Sequence, residues 1–208
     1  VAVLDPLIEV DEEDMFFQLD VNVLGPYRVT RAFAPLLIES GGRVSTTGSL
    51  SGFVTWAYGG PYTMSKHAIE AFTDVLAVEM APLGVRVSVV EPGNFDSRIY
   101  ENLVRRREER GVTTEGSLYG NTLDGMLERA TTARQAPPPT AVAEAFHHAM
   151  TDAEPKTHYL VVPVEGEAEV TIRAMLRRLV EVNRDHDFSY SRERLIEMLD
   201  EAMAAARN

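Results

Sequence analysis

The chain of 208 residues contains no cysteine. Disulfide bridges, thiolate-bound zinc and a thiol nucleophile are therefore excluded. A cytoplasmic setting suits that composition. Long hydrophobic runs are missing too. No apolar stretch approaches the ~20 residues of a membrane-spanning helix. No basic-then-apolar segment opens the chain as a signal peptide would. Positive charge is scarce: 20 Lys and Arg stand against 32 Asp and Glu, a formal net charge of −12. Nucleic acids and anionic membrane surfaces both attract positive charge, so neither is expected as a partner. One concentration of arginine, at Arg105, Arg106, Arg107 and Arg110, is interleaved with Glu101, Glu108 and Glu109. It reads as a solvated helix face.

What is present describes one globular domain. Hydrophobic residues make up 45% and charged residues 25%, enough to bury a core in a chain of this length. Asp11-Glu12-Glu13-Asp14 marks a helix start, with acids in the first turn. Apolar residues at helical spacing predict one long helix over 12–39, bent near Pro26 because proline removes a ladder bond. A strand is predicted over 43–47, a glycine-rich loop over 48–61 and a helix over 62–83. Val85 to Val90 is the clearest strand, ended by Glu91-Pro92-Gly93. Helices follow near 97–110, 121–133 and 140–150, then a strand over 159–164 and helices over 167–182 and 192–206. This alternation implies an α/β fold: a parallel sheet with helices on its faces. Chemistry in such sheets collects beyond the C-terminal ends of the strands. Ser49 and Pro92-Gly93 both lie at that edge.

Tyr62 and Lys66 are spaced i, i+4 and share one helix face. A phenol is a poor base at neutral pH, and a neighbouring ammonium favours its ionised form. The pair suits proton exchange with an alcohol or a carbonyl. Ser49, at a strand end, offers a hydroxyl to the same oxygen. His147-His148 and Asp185-His186-Asp187 lack metal-ligand spacing and read as surface groups. Phe53, Trp56 and Tyr58 either wall an apolar pocket or pack on the Tyr62 helix. Phe95, Ile99, Leu103 and Met126, within the long irregular stretch 94–136, suggest a lid over a substrate.

Four motifs in register resemble the short-chain dehydrogenase/reductase family. They are Asn22-Val23-Leu24-Gly25, Ser49-Leu50-Ser51-Gly52, Tyr62 to Lys66, and Pro92-Gly93 with Ser97 four residues on. The later part of the chain more faintly resembles its hydroxysteroid and retinol dehydrogenase branch. The resemblance implies an NAD(P)-dependent oxidoreductase, using NAD or NADP, that interconverts an alcohol and a carbonyl on an apolar small-molecule substrate. It implies Tyr62 as general acid/base and Lys66 as the group that lowers its pKa and bonds the nicotinamide ribose. Ser49 would polarise the substrate oxygen, and Asn22 would hold a water in a proton relay. Pro92, Gly93 and Ser97 would line the nicotinamide end. A homodimer or homotetramer built through helices 12–39 and 62–83 is also implied. An epimerase or dehydratase shares Tyr-x-x-x-Lys, but the Ser49-to-Tyr62 spacing and the lack of a large later domain count against it.

The pattern also departs from the family. Its Gly-rich turn after a first strand, which holds the pyrophosphate, has no counterpart here. The resemblance therefore covers the C-terminal portion of a Rossmann-like, doubly wound parallel sheet. A truncated N-terminus is the expectation, with roughly 80–90 family residues lacking before Val1. The alternative is a catalytically incompetent relative that keeps only the fold and its oligomer contacts.

Overall fold

The computed structural model describes residues 1–131 and 136–205, and only the backbone of 129–131. The ends of the helices expected over 121–133 and 192–206 lie partly outside the described residues. The chain divides into two compact units, Val1–Thr171 and Ile172–Asn208.

In the first unit the predicted long helix is three segments: α1 (Glu12–Leu19), a π-helical turn (Asp20–Leu24) and α2 (Gly25–Ser40). Asp11 caps α1, its carboxylate accepting from Glu13 N–H at 2.7 Å. The irregularity expected at Pro26 falls just before it. Gly25 N–H reaches back to Asp20 C=O, one residue further than an α-helix allows. Pro26 has no N–H to offer the Asn22 carbonyl, so the ladder slips and then restarts with proline in the first turn of α2. The slip turns buried Asn22 inward. Gly41, at φ 58°, ends α2 in the left-handed conformation.

Three strands follow: β1 (Arg43–Thr47), β2 (Arg86–Pro92) and β3 (His158–Val161). They form a parallel sheet in the order β1-β2-β3, with Val44 opposite Val87 and Val90 opposite Tyr159. Among the described residues, β1 pairs with β2 alone. The long helix α3 (Gly60–Met80) and a 3-10 turn (Ala81–Leu83) join β1 to β2. Alternation along the strands assigns the two faces. Val44, Val85 and Val87 pack with Leu37, Leu76, Ala77 and Met80 of α2 and α3. Val90 and Tyr159 pack with Val142, Ala145, Phe146 and Ala149 of α6 (Thr140–Thr151). Both faces are covered, so β2 is buried from Val87 through Glu91.

Between β2 and α6 lie α4 (Ile99–Glu109) and α5 (Gly120–Thr131). Leu103 of α4 is buried against Ala2 and Leu4, surrounded by Trp56, Tyr62, Ile99, Tyr100 and Met126. The arginine run is not the solvated face its composition suggests. Arg107 reaches Asp5 at 2.6 Å and the Leu4 carbonyl at 3.0 Å, while Arg106 pairs with buried Asp14 and stacks 3.6 Å over Phe17. Arg110 adds Glu13 and Asp14. The excess acids of residues 5–14 draw these arginines inward, so the run clamps α4 to α1 and to the first loop. Arg105 alone of the four stays mostly exposed, at 68%.

After β3 comes α7 (Glu165–Val182). The second unit holds its last turns and α8 (Arg192–Ala205). Asn183 and Tyr190 exchange two 2.9 Å bonds across the connecting turn, and Arg194 reaches Glu197 and Glu201.

Ile69, 1% exposed on the inner face of α3, carries a test of this packing. Ile69→Ala is expected to lower unfolding stability by about 2–5 kcal/mol in urea titration, the cost of an aliphatic cavity. Ile8→Ala, at a site 75% exposed, should stay within about 0.5 kcal/mol of the parent.

Candidate active site

Thr47 ends β1, and the chain turns at Gly48. Gly48 is required here: a Cβ would meet Glu70 Oε1 and Val89 Cγ2 at 2.7 Å. Ser49 follows in extended backbone and caps a 3-10 turn (Leu50–Gly52), its Oγ accepting from Ser51 N–H at 3.1 Å. Gly52 closes the loop, where a Cβ would fall 2.6 Å from Glu70 Oε1. The loop thus lies directly on the carboxyl group of a residue in α3. Ser49 is buried, and its hydroxyl faces the Tyr62 phenol and favours its ionised form.

Tyr62 sits in the first turn of α3 and Lys66 one turn further on. The Lys66 Nζ lies 5.6 Å from the centre of the Tyr62 ring and donates to the Thr47 carbonyl at 2.8 Å. Burial draws the Lys66 ammonium down to about 8, and the Glu70 charge works against that pull. Burial also raises the Tyr62 phenol above its ordinary value; the Ser49 hydroxyl opposes this and Tyr100 adds to it. The Tyr-Lys spacing leads one to expect a downward shift; the shift is upward because desolvation dominates. Tyr62 therefore holds its proton.

Asn22 reaches the same helix from the π-turn. Its Nδ2 donates to Ser65 Oγ at 3.1 Å and to the Val1 carbonyl at 3.2 Å. Ser65 Oγ in turn donates to the Tyr62 carbonyl at 2.7 Å. Gln18, fully buried, accepts from Val3 N–H at 2.6 Å and also faces Ser65. Asn22 is thus tied to the backbone of α3 beside Tyr62 and Lys66. Pro92 ends β2 with Gly93 next to it, and a Cβ on Gly93 would lie 2.0 Å from Glu167 Oε2. Glu167 accepts from Asn94 N at 3.0 Å and Nδ2 at 2.9 Å. Ser97 is exposed in the loop before α4. Trp56 packs with Tyr62 and donates to Ser51 Oγ at 3.3 Å, so it serves both the cluster and the loop.

The nicotinamide end of a dinucleotide fits these residues. The Thr47 carbonyl takes one of the three N–H groups of the Lys66 ammonium, leaving donors for ribose hydroxyls.

One cluster at this edge was not legible beforehand. His158 opens β3 and points Nδ1 at Glu91 Oε1, 2.7 Å away, and Nε2 at Asp74 Oδ1, 2.8 Å away. Glu70 Oε2 stands 3.5 Å from Nδ1 and acts on the ring mainly as a charge. Glu70, Glu91 and Asp74 push the imidazolium up to about 10 against its burial. Burial raises the Glu91 carboxyl, and neighbouring Glu70 adds to the rise. The available signal was the i, i+4 row Tyr62, Lys66, Glu70, Asp74, which places two acids on the site's own helix face. His158 held above its ordinary 6.5 contributes stability that is complete below pH 6.5 and is lost as pH rises through about 10. Its side chain is 40% exposed, so screening makes the gain modest. Urea midpoints measured across this range should fall more steeply for the parent than for His158→Gln. Parallel curves would refute the assignment.

Comparison with known proteins agrees with this geometry. The short chain dehydrogenase family profile matches residues 1–108. Retinol dehydrogenase 5 of Mus musculus is 36% identical over 76% of this chain and 52% of its own length. The 3beta-hydroxysteroid dehydrogenase dhs-16 of Caenorhabditis elegans is 38% identical over 54% of this chain and 30% of its own. The chain thus spans about half or less of these two relatives. In fold it matches a short chain dehydrogenase/reductase from Burkholderia phymatum solved with NAD, with TM-score 0.68 and 21% identity, over 92% of this chain and 67% of that one. The motif residues that meet around Tyr62 stand within the matched stretch, and the chain belongs to the short-chain dehydrogenase family.

Proposed function

We propose that this chain carries the substrate and nicotinamide part of an NAD(P)-dependent oxidoreductase site that interconverts an alcohol and a carbonyl. The observation that carries the reading is the buried Ser49 hydroxyl facing the Tyr62 phenol, one helical turn from a buried Lys66 whose ammonium donates to the Thr47 carbonyl. Bound NAD or NADP supplies the hydride acceptor or donor. Ser49 and Tyr62 present two hydroxyls to one substrate oxygen. In carbonyl reduction the Tyr62 phenol gives its proton to that oxygen, and the Lys66 ammonium stabilises the phenolate left behind. In alcohol oxidation the phenolate takes the hydroxyl proton. Asn22, bonded to α3 through Ser65, supports the helix turn that carries both groups, and in this reading it holds a relay water. Pro92 and Gly93 line the nicotinamide end; Ser97 would do so only from its exposed loop.

An apolar substrate suits the surroundings. Trp56, Ile99, Tyr100 and Met126 gather around Leu103 and Tyr62, which supports the 94–136 region as a substrate lid. The names of the retinol and hydroxysteroid relatives point the same way. No described helix is long and apolar enough to cross a membrane. The exposed Val29, Phe33 and Leu36 of α2 and Met64, Val75 and Val78 of α3 support a homodimer or homotetramer through these helices.

NADH fluorescence titration tests the cofactor: absence of binding at millimolar concentration favours the incompetent relative instead. Where turnover is present, Tyr62→Phe should lower kcat by about 10²–10⁴-fold, the loss of a positioned acid/base. An unchanged kcat overturns the role of Tyr62. Phe33→Glu places a charge on the exposed face of α2, at a side 54% exposed, and should lower the mass seen by sedimentation if that face pairs subunits.

A further inference from the structure

Glu70 has no part in the reaction above, yet it is buried directly beneath the site. It follows Lys66 by one helical turn, so the two share a face of α3. Its carboxyl group fills the space that a Cβ would claim at both Gly48 and Gly52, the two ends of the loop that carries Ser49. Neither Glu70 oxygen receives an ordinary hydrogen bond, and Glu91 Oε2 receives none either. A buried carboxylate without donors is costly unless charge compensates it. Two cations stand near: Lys66 on the loop side and the His158 ring on the β3 side.

A metal ion is the other occupant such a cluster suggests, because Glu70, Glu91 and His158 can bring their ligand atoms within 4.8 Å of one another. His158 argues against it. Both ring nitrogens already face carboxylate oxygens at 2.7 and 2.8 Å, and carboxylates only accept. The ring is therefore an imidazolium and is itself the cation of the cluster.

We propose that Glu70 is a positioning residue of this site: wedged under the Ser49 loop one helical turn from Lys66, its carboxylate holds the Lys66 ammonium from one side. The proposal rests on Lys66 being the site's ammonium, but not on turnover. The groups that face Lys66 are Glu70 and Tyr62 on α3 and the amino group of Val1. Those that face Glu70 are Lys66 and Asp74 on α3, Glu91 on β2 and His158 on β3. Glu70 lies close enough to Glu91 to raise the Glu91 carboxyl. Neutralising Glu70 must weaken the hold on the Lys66 ammonium, because Glu70 is the carboxylate on the Lys66 face of α3.

The chain contains two lysines, Lys66 and Lys156, so selective ¹³Cε-lysine labelling gives an NMR titration with two resonances. Lys156→Arg assigns them. The Lys66 midpoint should move to lower pH in Glu70→Gln, an isosteric change that keeps the wedge, and should move less in Glu91→Gln. The Lys156 midpoint should stay put in both. An unmoved Lys66 midpoint in Glu70→Gln, or an equal shift in Glu91→Gln, overturns the proposal. If Glu70→Gln does not fold, Glu70→Asp, which draws the carboxylate back by one carbon, should lower the midpoint in its place. A chain that fails to bind NADH but shows the Glu70→Gln shift refutes the enzymatic reading and leaves the Glu70 assignment standing. Where turnover is measurable, the alkaline limb of kcat/KM should follow the Glu70→Gln shift, a movement that a purely structural Glu70 would not produce.

Discussion

A buried ammonium needs an acceptor, and in this protein the acceptor is the last carbonyl of β1. The 2.8 Å bond from Lys66 to Thr47 joins the second turn of the site helix to the end of β1. The candidate site hangs on that joint. Thr47 is followed by Gly48 and then Ser49, so fixing Thr47 fixes where the serine hydroxyl begins. Lys66 is preceded by one turn that ends at Tyr62, so the same bond fixes the phenol. The Ser49–Tyr62 contact is the closure of a ring whose other side is Lys66–Thr47. Desolvation makes this joint expensive for both charged forms: the ammonium is drawn toward losing its proton and the phenol toward keeping its own. Burial therefore sets the protonation of the site: it keeps the phenol protonated and brings the ammonium down to about 8.

Much of this was legible in the residues. The run Val85 to Val90, alternating and then apolar, announced a strand, and β2 is that strand, buried from Val87 through Glu91. The Tyr62-to-Lys66 spacing announced a shared helix face, and the structure brings the Ser49 hydroxyl to it. Other features were illegible for physical reasons. Proline at position 26 signals a break, but the slip occurs where its missing N–H would have been used, four residues earlier, and so Asn22 rather than Pro26 marks the bend. The arginines of α4 look like surface charge because sequence order hides Asp5 and Asp14, which lie about a hundred residues away and meet them only after folding. His158 stood within a predicted loop edge with no charge beside it; its three acidic neighbours come from α3 and β2.

These long-range ion pairs share a logic. The chain carries a large excess of acid, and its cations are placed where acids from different elements converge. Arg106, Arg107 and Arg110 close α4 against α1 and the first loop. His158 closes β3 against β2 and α3. Each cation thereby does for tertiary structure what an apolar residue does elsewhere, and each does so next to the cluster containing Tyr62 or the loop containing Ser49.

The row Tyr62, Lys66, Glu70, Asp74 makes α3 a ruler whose marks are four residues apart. Each mark advances 400°, so the row drifts only about 40° per step around the helix. Length changes in this helix therefore act through phase. One residue inserted between Lys66 and Glu70 would turn every downstream mark by about 100°, swinging Glu70 away from Gly48 and Gly52 while leaving the motif Tyr-x-x-x-Lys intact. A relative of this protein can thus keep the signature that identifies its chemistry and lose the foundation beneath it, a distinction that motif matching alone does not see.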